Sequence, residues 1–339
     1  MMDEWQSYLC ADPMPWLLEE GNPSVRYFTL KFLMEREEAD PELQSTKRRI
    51  MKTAPVSEIL SQQDSSGFWS EAKRFYTDKY GGTVWQMLVL AELGADGSDP
   101  RIQKGCTFLL ENSYESESGA FAMKSSAKKG GGLPNDVIPC LSGNMLWVLI
   151  RFGLLEDPRV QKGIEWVIRY QRYDDGVETP PSGWPYDRFE ICWGRHTCHM
   201  GIVKNLKAFA AIPEAKRTAG IRDVIEKSAE FLLIHHIHKR SHALDRVSKP
   251  GWLKLGFPLM YQTDILEILD ILTGLGYRDP RMQEAMDILL DKQDATGRWI
   301  LQNSYNDRLP VPIEVKGKPS KWITLNALKT IKKYYGKGT

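Results

Sequence analysis

A chain of 339 residues with 42% hydrophobic and 26% charged side chains is long and apolar enough to bury a large core, and its net charge of +1 offers no general attraction to nucleic acid. No apolar run reaches bilayer length, and the acidic start Met1-Met2-Asp3-Glu4-Trp5 lacks the pattern of a secretory signal. Five cysteines (Cys10, Cys106, Cys140, Cys192, Cys198), odd in number and dispersed, read as reduced thiols of a cytoplasmic protein rather than a disulfide framework.

Two kinds of helical segment alternate along the chain. The first kind starts at Pro23-Ser24-Val25 and runs through Met34. It recurs from Tyr80 through Leu93, Cys140 through Phe152, Cys198 through Ala210, Tyr261 through Leu275 and Lys321 through Tyr334. These six segments are apolar around most of their circumference, as in Val84, Trp85, Met87, Leu88 and Val89, which predicts enclosed helices. Between them stand segments that open on Asp-Pro: Asp40-Pro41, Asp99-Pro100, Asp157-Pro158 and Asp279-Pro280, with Ile221-Arg222-Asp223-Val224 where one copy has lost its label. The step is about 60 residues. Asp caps free amides, Pro suits the first helical position, and a single apolar stripe follows, for example Val160, Ile164, Val167 and Ile168. Such helices cover something, so the Asp-Pro series predicts an outer layer and the other series an inner ring. Six inner and about six outer helices in one domain over 1–339 predict an all-α, α/α toroid.

The outer segments end in a second signature. Gln62-Gln63-Asp64-Ser65-Ser66-Gly67-Phe68-Trp69 and Gln293-Asp294-Ala295-Thr296-Gly297-Arg298-Trp299 share a Gln, a Gly turn and a Trp, with Ser118-Gly119-Ala120-Phe121 and Gln171 to Gly176 as worn copies. This is a helix stop, with Gln on the last carbonyls and Gly in the left-handed turn.

An apolar helix followed by Gln, a spacer and Gly-x-Trp, repeated over roughly residues 40 to 335, resembles the repeats of the squalene cyclases and of the protein prenyltransferase β subunits. The resemblance implies a central apolar cavity for an isoprenoid or similar lipid, with a partner protein in some members. The Asp-x-Asp-Asp acid motif of the cyclases is absent, and its nearest counterpart, Asp174-Asp175, falls in a turn. The prenyltransferases hold zinc with an Asp and a Cys heading one inner helix and a His heading another. Carried onto this chain, that implies zinc held among Cys140, His196, Cys198 and His199, with Asp136 as the carboxylate. Three residues separate Asp136 from Cys140 where the family has one.

Thiolate and imidazole are good zinc ligands in their own right, although isolated Cys on apolar helices more often serve as small core residues. His235, His238 and His242 share a helical face in the densest basic stretch. They could bind metal or a diphosphate, or simply offset a helix C-terminus. His242 and Arg240, past the helix end, are the site candidates there. Because the heads of all inner helices face one end of a toroid, Arg26, Tyr80, Trp85, Asn144, Tyr261 and Trp322 are expected around one opening as substrate-binding residues, with Asp264 or Asp136 as the catalytic carboxylate and His242 beside it. Two other readings stand: a carbohydrate lyase or hydrolase using Asp187, Glu190 and Asp264, and a non-catalytic scaffold whose hollow is plugged by its own side chains.

Overall fold

The computed structural model describes residues 4–176, 179, 181–194, 196–305 and 307–336; the acidic start at Met1, Met2 and Asp3 lies outside them. The helices in chain order are α1 (Met14–Leu17), α2 (Pro23–Phe28), α3 (Pro41–Ile50), α4 (Val56–Ser61), α5 (Thr83–Glu92), α6 (Pro100–Asn112), α7 (Pro139–Arg151), α8 (Pro158–Tyr170), α9 (Glu190–Trp193), α10 (His199–Ala210), α11 (Ala219–Ile234), α12 (Ile265–Gly274), α13 (Gln283–Leu290) and α14 (Lys321–Tyr335). Among the described residues, strands are confined to two short antiparallel pairs, β1 (Lys239–Arg240) with β2 (Ala243–Val247) and β3 (Trp299–Ile300) with β4 (Pro319–Ser320).

α2, α5, α7, α10, α12 and α14 form the inner ring. α5 packs on α7, α7 on α10, α10 on α12, α12 on α14 and α14 on α2. At the remaining seam, a Cβ on Gly94 just past α5 would stand 2.7 Å from the Phe28 ring. The α/α toroid is therefore closed, as the alternation of segments predicts. Five outer positions are filled by α3 with α4, α6, α8, α11 and α13. The N-terminal segment takes the sixth: Tyr8 stacks on Tyr335 at 3.8 Å, and the Cys10 amide donates to Gln293 Oε1 at 3.0 Å.

The repeated motifs have direct physical causes. Asp40, Asp99, Asp157 and Asp279 cap their helices. In the last three the Arg two residues on folds back onto the capping carboxylate, as Arg159 does on Asp157 at 2.9 and 2.7 Å, holding that carboxyl below its usual range. The α11 start lacks Asp and is capped by Thr218 instead. At the other end of the unit, Gly67, Gly119 and Gly297 adopt positive φ, and a Cβ at each would lie 2.2–2.6 Å from a backbone oxygen of the neighbouring segment (Lys104, Lys162 and Ala11). The following aromatic turns inward. Trp69 and Trp299 donate Nε1–H to Ile59 and Leu289 at 2.8 Å, and their backbone amides donate to Thr83 and Thr324 at the head of the next inner helix. One motif thus ends an outer helix, seats the next one and fixes an inner head.

α7 and α10 are the most intimate pair. A Cβ on Gly143 would fall 2.6 Å from Asn205 N, and one on Gly201 3.0 Å from Pro139. The missing side chains let the two backbones touch. No helix among the described residues is long and apolar enough to cross a membrane.

Candidate functional site

The ring encloses a cavity of 330 Å³ whose wall is drawn from all six inner helices. It runs along α12 from Asp264 to Gly274, about 15 Å at 1.5 Å per residue. Its apolar part is lined by Phe257, which stacks at 4.5 Å on Trp322 near the head of α14, and by Phe28, which meets the same indole edge-on at 5.9 Å. Its other part lies among the C-terminal halves of the helices and is charged: Glu92, Arg151, Lys207, Asp270, Lys329 and Lys333.

Asp264 sits on this wall, 1% exposed, capping α12: Oδ1 accepts from the Glu267 amide at 2.9 Å and Oδ2 from the Gly256 amide at 2.8 Å. Burial raises its pKa to about 7, outweighing the backbone amides that favour the carboxylate. A protonated carboxyl is thereby available at neutral pH.

The other acids of the wall are neutralised. Glu267 receives fully buried Lys204 at 2.6 and 2.7 Å and Lys207 at 3.2 Å, and Lys207 also pairs with Glu92 and lies 4.3 Å over the Trp147 ring. Burial pushes the Lys204 ammonium down, while the two lysines hold Glu267 ionised against its own burial. Asp270 Oδ2 pairs with Lys329 at 3.2 Å.

Of the residues expected around an opening at the helix heads, Trp322 and Asp264 line the cavity. The rest do not form a mouth. Trp85 packs on Tyr261 at 4.8 Å and on Tyr80 at 5.1 Å, with Tyr305 against Tyr80 at 5.2 Å, so the heads of α5 and α12 are stoppered by aromatic rings. Asn144 is buried and donates to the Met260 carbonyl. Arg26 is spent on the Leu18 carbonyl and Glu42. Arg240 is exposed on β1, and His242, with its side chain 75% exposed, reaches Asp175 at 3.3 Å. Asp187 pairs with Arg188 and Glu190 is exposed on α9; neither lines the cavity.

Cys140 and Cys198 are brought together, as expected for two head positions of neighbouring inner helices. The Cys192 thiol lies against Cys198, holding that thiol below its ordinary range despite burial, whereas burial pushes Cys140 up to about 12. The histidines do not join them. His196 is exposed, and the His199 ring packs against Trp252 at 4.3 Å, His235 at 5.4 Å and Phe231 at 5.5 Å. Asp136 is paired with Lys124 at 3.1 Å. Among the described residues no three His, Cys, Asp or Glu side chains are placed to hold a metal ion, so the zinc set that the resemblance implies does not assemble.

Sequence reasoning missed Glu92, Lys207, Glu267, Asp270 and Lys329. Their signal was present as lone charges inside otherwise apolar inner helices, which are buried only when paired.

No family model matches this chain, and no curated protein does. Solved structures overlay only loosely. The Lin0763 protein of Listeria innocua is 12% identical with a TM-score of 0.47, over 93% of this chain and 84% of its own. Unsaturated glucuronyl hydrolase from Bacillus sp. GL1 is 12% identical at 0.45, over 94% and 85%. Type II terpene cyclase MstE from Scytonema is 12% identical at 0.42, over 92% and 87%. At this distance none of them bears on what the chain does, and the toroid is read from its own ring of helices.

Proposed function

We propose that the chain binds an isoprenoid or similar apolar molecule in the central cavity and acts on it as a terpenoid cyclase-like enzyme, with Asp264 as the acid. The observation that supports this reading is a carboxyl with a pKa raised to about 7 on the same wall as Phe28, Phe257 and Trp322. In the proposed step the Asp264 proton passes to one carbon of a substrate alkene, leaving the carboxylate on the protein and a cation on the adjacent carbon. The ring faces of Phe257 and Trp322 stabilise that cation, and the apolar wall keeps water from quenching it. The cation then closes on a second alkene of the chain and loses a proton, which returns to the Asp264 carboxylate.

A hydrolytic reading needs a second free carboxylate across the groove. Among the described residues of the wall, Glu92, Glu267 and Asp270 are each bound to a lysine. The volume, near the lower end of the roughly 300–1,000 Å³ of small-molecule sites, favours a compact ligand.

The test is incubation of the purified chain with prenyl alcohols, prenyl diphosphates and squalene, with chromatography for cyclic products. Conversion lost in Asp264→Asn, with ligand binding retained, supports the reading. Absence of binding to every prenyl compound, or undiminished conversion by the variant, defeats it.

A further inference from the structure

The charges at the tail end of the cavity do not cancel. Glu267 and Glu92 are answered by Lys204 and Lys207, and Asp270 by Lys329. That leaves Arg151 and Lys333 on the wall, their cationic ends without a carboxylate, a hydrogen-bond acceptor or an aromatic face among the described residues. Five cations, counting Lys204 behind the wall, thus stand against three carboxylates. Both unanswered cations belong to one end of the ring. Arg151 is the last residue of α7 and Lys333 lies in the last turn of α14, two helices that face each other across the hollow. The Lys333 ammonium reaches the end of α12: a Cβ on Gly274, itself a wall residue, would lie 3.3 Å from Nζ. Asp264, at the start of the same helix, is about 15 Å away. Lys333 as a whole reaches solvent, yet burial around its ammonium, with Lys329 adding to it, holds its pKa below the ordinary value in spite of Asp270. A cation suits a helix C-terminus in general. That explains the sign of these two residues, but not why they lack an acid when Lys207 and Lys329 on the same wall each have one.

Resting on the reading that the cavity holds an apolar chain, we infer that this chain carries one anionic oxygen head, a carboxylate or a phosphate, seated between Arg151 and Lys333, with its apolar body running along α12 toward Trp322 and Asp264. Guanidinium and ammonium groups are the donors that suit such heads, and a hollow lined by an excess of one sign raises the local concentration of the opposite one. A neutral chain leaves both cations unanswered, and an ammonium head is repelled by them.

The experiment measures binding of decanoate, decyl phosphate, decanol and decylammonium to the full chain by calorimetry and tryptophan fluorescence at low ionic strength. At least one of the two anions should bind about tenfold tighter than decanol, and decylammonium should bind weakest; the tighter anion identifies the head. Raising the salt to about 0.5 M should shrink the anion advantage. Arg151→Gln and Lys333→Gln, each checked for native circular dichroism, should each reduce that advantage about threefold or more while leaving decanol binding within about twofold. Anions binding no better than decanol, or an advantage unchanged in both variants, would show that the two cations only offset helix ends, overturning this inference and leaving the apolar-cavity reading intact. Failure of all four compounds to bind overturns both.

Discussion

Lys204 Nζ bridges both carboxylate oxygens of Glu267, at 2.7 and 2.6 Å, across the α10–α12 contact, with the lysine side chain wholly buried and the glutamate 6% exposed. Removing Lys204 leaves the buried Glu267 carboxylate with Lys207 alone, at 3.2 Å. Lys204→Met should destabilise the fold in urea denaturation by less than the roughly 3–5 kcal/mol of a fully stranded charge, and the double variant Lys204→Met/Glu267→Leu should recover most of the loss. A single variant as stable as the parent would mean that Lys207 alone neutralises Glu267.

The α7–α10 contact depends on a missing side chain. Gly143→Ala places a methyl 2.6 Å from Asn205 N and Oδ1, and must push the two inner helices apart. A loss of about 1–3 kcal/mol is expected, against little change for Gly21→Ala, where nothing lies within 4 Å. Denaturation midpoints of the two variants decide the matter.

Asp264 sets a pH dependence with a definite sign. Its folded pKa, about 7, is above the ordinary 3.8, so the folded chain binds the extra proton between those values. Its contribution is fully favourable below about pH 4, declines as pH rises toward 7, and is flat above, a fall of up to about 4 kcal/mol. Asp264→Asn keeps a helix cap but cannot titrate. Its stability curve between pH 4 and 7 should be flatter than that of the parent, and parallel curves would contradict the assignment.

Cys198 should be more reactive than the buried thiols Cys106 and Cys140. The Cys192 thiol beside it favours the anion, while Cys106 is buried and raised to about 12. Iodoacetamide labelling read by mass spectrometry should titrate at Cys198 below the ordinary thiol value of about 8.5. Replacing Cys192 with Ala should move that midpoint upward, and an unchanged midpoint would remove Cys192 as its cause.

What the chain's sequence determined by itself is its rhythm. Asp-Pro caps, Gly turns and Trp anchors act through neighbouring residues and the next repeat, so residues such as Asp157, Gly67 and Trp299 could be assigned their structural work from spacing alone. Cys140 and Cys198 could be paired because both head adjacent inner helices. Only the tertiary structure decided where the hollow lies and which end is closed. The ring's interior depends on side-chain volume summed over six helices, so that Trp85, Tyr261, Tyr80 and Tyr305 fill the head end while the space left near Phe257 and Trp322 continues toward Asp270. The same holds for charge: Glu267 is an acid in one helix until Lys204 and Lys207 arrive from another, and Asp264, with no ion pair to offset its burial, has its pKa raised to about 7 because burial is a property of the whole ring.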